Sequence, residues 1–144
     1  MKPILISLFM PLTFVFFLQE NTISITWLEE EHSSGDNVKF GLLNKSEKTV
    51  YAHIGVERNS EGKWTALTDD ITKQGPSKGR LGFKLEPNKE RTIEWKSSET
   101  ARLFPNNPEK RNIPLEGRFR FFIEYWRSSP KNRQVVYSEG FNIK

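Results

Sequence analysis

Residues 115–126 read LEGRFRFFIEYW, the most apolar segment after the first nineteen residues. Phe119, Phe121, Ile123 and Tyr125 share one side of an extended chain, and Arg118, Arg120, Phe122, Glu124 and Trp126 share the other. Successive strand side chains point to opposite faces, whereas a helix would gather residues three and four apart. The spacing predicts a long strand with its apolar side on a core.

The same rhythm recurs to either side. Upstream, Val38, Phe40 and Leu42 alternate with polar or small neighbours in NVKFGLLN (37–44). Val50, Ala52, Ile54 and Val56 do so in TVYAHIGVE (49–57), with Tyr51, His53 and Gly55 opposite. RNSEG (58–62) then reads as a hairpin turn into KWTAL (63–67). ISITWL (23–28) predicts a first strand, LEPNKERTIEW (85–95) a turn and a strand, and VVYSEGFNI (135–143) a closing strand. SSETARLFP (97–105) predicts one short helical turn near residues 97–104, capped by Ser97 or Ser98 and stopped by Pro105. Short strands separated by turn signals every 8–12 residues indicate an all-β antiparallel sandwich of about seven strands. The predicted core is Val38, Phe40, Ile54, Ile93, Trp95, Phe119, Phe121 and Ile123.

These segments, in this order, resemble bacterial immunoglobulin-like domains and their fibronectin-type relatives. The apolar strand ending in an Asn-x-Ser turn (NVKFGLLNKS), the hairpin VYAHIGVERNSEGKW, the turn-strand LEPNKERTIEW and the pair LEGRFRFFIEY and GFNI carry the resemblance. It spans residues 23–143 and implies an immunoglobulin-like sandwich. Phe119 stands where many relatives place a tyrosine, so a tyrosine-corner hydrogen bond is absent there. Some proteins of this kind resemble intracellular proteinase inhibitors, and others are adhesin or enzyme-appended modules. Fold alone does not choose among them.

The chain has 144 residues, which suits one domain. Residues 1–19 stand apart: Lys2 is their only charge, and an apolar run extends from Ile4 to Leu18. Fifteen helical residues cover about 22 Å, short of the roughly 30 Å of a bilayer core. A basic start before an apolar run of this size is the secretory pattern, read as a cleaved signal peptide or an uncleaved anchor. No pair of small residues marks a cleavage site directly after Leu18. Residues 20–144 are then an exported domain, periplasmic, envelope-bound or extracellular. Its lack of cysteine suits a bacterial envelope.

Without cysteine, disulfide scaffolds, thiolate metal sites and cysteine nucleophiles are excluded. His32 after three glutamates reads as a loop residue, and His53 as a residue of the outward strand face. Asp69-Asp70 reads as a turn or a cap. No Gly-x-Ser-x-Gly elbow or phosphate-binding loop occurs, so no cofactor, metal or catalytic group is expected. Residues 20–70 carry ten acidic and five basic side chains, and residues 71–144 eight and sixteen. Nucleic acid is not expected as a partner of an exported domain without an aromatic–basic signature.

The sequence points to surface recognition of a protein or an envelope glycan. The candidate binding residues are Arg118, Arg120, Phe122 and Trp126 on the outer face, with Arg127, Lys131 and Arg133 in the following loop. Trp and Arg concentrate binding energy where they are exposed. Trp126 is the decisive member: if buried, the row fails as a surface and the site falls back to the loops. An inhibitor-like module displaying residues 75–82 or 127–134 is the alternative reading, and a small envelope hydrolase a weaker one.

Overall fold

A computed structural model describes residues 21–68, 71, 83–97 and 115–144. The amino-terminal segment, Asp69-Asp70, the loop 75–82 and all of the expected helical turn except Ser97 lie outside these residues.

Ten strands occur among the described residues: β1 (Ile23–Leu28), β2 (Glu31–His32), β3 (Asn37–Asn44), β4 (Val50–Ser60), β5 (Lys63–Thr68), β6 (Phe83–Leu85), β7 (Glu90–Lys96), β8 (Gly117–Trp126), β9 (Gln134–Tyr137) and β10 (Phe141–Ile143). They form two sheets. The smaller runs β1-β3-β7, and the larger runs β2-β10-β8-β4-β5, with β6 paired to β4 and β9 to β8. Every pairing is antiparallel except that of β2 with β10. This is the immunoglobulin-like arrangement, a three-stranded sheet and a larger sheet built around the long antiparallel pair β4–β8.

The count exceeds the expected seven for local reasons. β9 and β10 are successive parts of one course along β8: Tyr137 lies opposite Phe122 and Phe141 opposite Phe119. Between them the Ser138 backbone N–H donates to the Phe121 carbonyl at 2.9 Å, and the Ser138 hydroxyl accepts from the Phe121 N–H at 2.8 Å. The hydroxyl thus replaces a ladder carbonyl and admits a bulge. β2 and β6 are the two further short pieces, of two and three residues.

The expected core is confirmed residue by residue. Val38, Phe40, Ile54, Phe119, Phe121 and Ile123 are wholly buried, and Ile93 and Trp95 nearly so. Phe40 of the smaller sheet stacks on Phe121 of the larger at 4.2 Å between ring centres. Trp95 meets Phe119, Phe121 and Phe141 at 5.8–6.3 Å, so four aromatic rings join β7, β8 and β10. The β4–β5 hairpin turns through Glu61 and Gly62, both at positive φ, the geometry a two-residue turn requires.

Among the described residues one polar side chain, that of Asn44, is wholly buried. The Asn44 amide nitrogen donates to the carbonyls of Lys48 (2.8 Å), Leu85 (3.2 Å) and Glu86 (3.2 Å). Its oxygen accepts from the Ser46 N–H and hydroxyl. The Asn-x-Ser turn seen in the sequence is therefore an interior tie between β3, its following turn and β6.

Replacing Phe121 with Ala should cost about 3–5 kcal/mol in denaturant unfolding, the usual loss for a buried aromatic. A loss below about 1 kcal/mol would reverse the facing of β8. Asn44→Ala should cost about 2–3 kcal/mol by the same measurement, because buried carbonyls lose their donor. An unchanged midpoint would show that water replaces the amide.

Candidate functional site

The outer face of the larger sheet is set by register. β4 and β8 pair from Tyr51 opposite Trp126 to Asn59 opposite Arg118. β9 adds Tyr137 beside Phe122 and Val135 beside Glu124. β5 adds Trp64 opposite Asn59. Side chains of one parity on these four strands therefore share a single surface.

Trp126 corrects the sequence reading. It lies on this face but is only 6% exposed. Tyr51, directly across the ladder, stacks over it at 6.5 Å, and His53 meets it edge-on at 4.8 Å. Alternation gave the face correctly, yet neighbours on β4 cover the indole. The row centred on Trp126 therefore fails as a recognition surface, and of the loop residues to which the expectation falls back, Arg127 and Arg133 are engaged with Thr22 and Glu124.

Arg120 occupies the middle of the face. Its Nε donates to a Glu57 carboxylate oxygen at 2.6 Å, and both side chains are about one-fifth exposed. The guanidinium carbon lies 4.4 Å from the Trp64 ring centre and 4.1 Å from that of Tyr137. One cation thus joins three strands through two rings and a carboxylate. Such contacts are worth about 0.5–2 kcal/mol each, rising as water is excluded. Arg120 positions Trp64 and Tyr137 and is already engaged.

The remaining cations are dispersed. Arg118 lies across Gly140, at a recess of about 350 Å³ that Glu29, Glu30 and Glu139 also line. Arg133 donates to Glu124 at 3.0 Å. Arg127 reaches the Thr22 hydroxyl at 3.5 Å. Lys131 is exposed in the one 3₁₀ turn described, Pro130–Asn132, where its N–H bonds the Ser129 hydroxyl. Phe122 is half-buried between Gly55 and Tyr137 on the neighbouring strands. The seven expected residues do not form one basic patch.

Sequence reasoning missed Trp64, Glu57, Val135 and Tyr137. Val135 and Tyr137 are 43% and 50% exposed, the largest exposures of large apolar side chains among the described residues, ahead of Trp27 at 41%. Trp27 lies flat over Gly41 on the smaller sheet, where any Cβ would collide with it, and its indole donates to Glu90. Beside β9, a groove of about 610 Å³ separates it from β1. A second cavity of about 640 Å³ opens at the loop end, between Thr22 and Ser128–Ser129.

The histidines take the places expected of them in part. His53 is on the outer face, half-buried against Trp126. His32 lies in β2 rather than a loop, its ring donating to the Glu29 carbonyl and packed edge-on to Phe141. Among the described residues no three acidic or histidine side chains converge as metal ligands.

No protein-family model matches the sequence, and no curated protein does. Solved structures match the chain at low identity and with TM-scores under 0.5. The Class 5 fimbriae chaperone CfaA is 12% identical, with a TM-score of 0.49 over 84% of this chain and 54% of that one. The CsuC–CsuE chaperone–tip subunit complex of Acinetobacter baumannii gives 12%, 0.49, 85% and 51%. A β-glucosidase from Listeria innocua, solved with isofagomine, gives 11%, 0.42, 84% and 16%. The chain spans about half the length of the two chaperone structures' matched chains and far less of the glucosidase.

Proposed function

We propose that this chain is an exported, non-catalytic immunoglobulin-like domain that recognises a protein partner through the outer face around β8 and β9. The observation that carries this reading is the pair Val135 and Tyr137, large apolar side chains left about half exposed on a rigid sheet. Exposed aromatic anchors beside arginines are the composition of binding centres. Arg120 holds the Tyr137 ring in place at 4.1 Å, so little side-chain entropy is lost on binding.

The charges favour a protein over an anionic glycan. Arg120 and Arg133 are paired with Glu57 and Glu124, and Arg118 shares its recess with three glutamates. A polyanion wants unpaired cations in a row, and an apolar patch rimmed by compensated charges suits a folded protein surface better. Export rests on the basic–apolar pattern of residues 1–19, and the lack of catalysis on the absence of a nucleophile or metal motif in the sequence.

Capture of a partner from envelope extract, followed by affinity measurement with the purified partner, tests the assignment. Tyr137→Ala should weaken binding at least about tenfold while costing only about 1 kcal/mol of stability, since the ring is half exposed. Trp126→Ala should do the opposite, costing about 3–5 kcal/mol with affinity retained. Equal affinity for Tyr137→Ala and the parent would overturn the proposed face.

A further inference from the structure

β10 and β9 differ in how their edges are treated. β10 is paired on both sides, with β8 and with β2, and main-chain bonds from Asn142 to Glu30 and from Lys144 to His32 close it. β9 is paired only with β8 among the described residues. The Ser138 N–H bond to Phe121 fixes the parity of the ladder. Hydrogen-bonded pairs alternate along an antiparallel ladder, so Val136 and Gln134 turn their amides to β8. Val135 and Tyr137 therefore turn theirs away from β8, toward the groove that β1 lines on its other side, at an edge carrying exposed apolar side chains. Such an edge is a template for another strand.

We propose that the outer edge of β9 pairs antiparallel with the same edge of a second copy of this chain, about a two-fold axis at Val136. In that register Val135 lies opposite Tyr137 of the second copy, and the outward amides of both face each other. The side chains form an aromatic–β-branched cross-strand pair, a favourable combination. Val136, half-buried and packed on the core, meets its own counterpart at the axis on the other side. Arg133 is already extended (φ −73°, ψ 146°), and it comes opposite the exposed Glu139 at both ends. Shifting by two residues places Glu139 opposite Val135, or Arg133 opposite Tyr137. The self-complementary register is thus selected by charge as well as by apolar pairing. An isologous contact of this kind closes as a dimer, because each copy's β9 edge is used up by the other's.

The chain contains no cysteine, so a single introduced thiol reports the contact in the full-length protein. Residues opposite each other at a non-hydrogen-bonded position lie about 4.5 Å apart, within disulfide reach. Val136→Cys should give a disulfide-linked dimer on mild oxidation, and Val135→Cys at least about tenfold less, being offset by two residues from its own copy. Sedimentation of the unmodified chain should give twice the chain mass, dissociating on dilution. Val135→Pro removes an outward N–H while sparing the β8 ladder, and should yield monomer with the melting temperature retained. Should that variant fail to fold, Glu139→Arg should also yield monomer, and adding Arg133→Glu should restore the dimer. Monomeric mass for the parent at about 100 μM, or equal cross-linking at positions 135 and 136, would overturn the proposal. The proposed recognition face is unaffected by that outcome, because partner affinity is read separately.

Discussion

The inward parity of β8 is the constraint on which the other elements depend. Phe119, Phe121, Ile123 and Tyr125 all enter the core from one strand, and its backbone serves β4 on one side and β9 and β10 on the other. A slip of one residue would bury Arg118, Arg120 and Glu124 and expose four large apolar side chains. Nothing else in the molecule tolerates that exchange. Phe40 would lose the ring it stacks on, and Trp95 would lose two of its three aromatic neighbours. Fixing β8 therefore fixes the register of both sheets.

Apolar contacts set which face is inward but do not by themselves fix where strands end. That task falls to polar groups placed where the ladder would otherwise leave carbonyls or amides unpaired. Asn44 does so at the end of β3, satisfying carbonyls from the turn and from β6 with one amide. Ser138 does so at the end of β9, where its hydroxyl accepts the N–H that a continuing strand would have bonded. Ser97 donates to the Asp36 carbonyl at the far end of the smaller sheet. Each is short and partly or wholly buried. Buried polar groups of this kind discriminate against alternative registers because each has partners in one arrangement only.

How much of this was legible follows from the range of the interactions. The core and the sheet faces were readable because they are set by a period-two pattern within single strands. Trp126 was assigned the correct face and the wrong exposure, since its cover comes from Tyr51 and His53, more than seventy residues earlier. The Arg120 stack was hidden for the same reason: Glu57, Trp64 and Tyr137 approach it only after three strands align. A partial signal existed, because Glu57 continues the outward series Tyr51, His53, Gly55 and the two-residue turn sets the register of Trp64. Ser138 gave no such signal. A serine within an apolar run looks like a solvent-facing strand residue until its hydrogen bond is known.

The bulge at Ser138 has two effects that come from one cause. It swings the chain so that β10 can lie between β8 and β2, which seals that part of the sheet and buries Phe141 and Ile143. It also ends β9 after four residues, too far along β8 for β2 to reach. Among the described residues, one half of the last strand is thus covered on both edges and the other half on one. Extending β2 to cover β9 would require β1 to leave the smaller sheet earlier, and Ile23, wholly buried there, would lose its place opposite Asn44. The open edge is thus the geometric consequence of a first strand that must serve two sheets. Val135 and Tyr137, 43% and 50% exposed, lie on that edge.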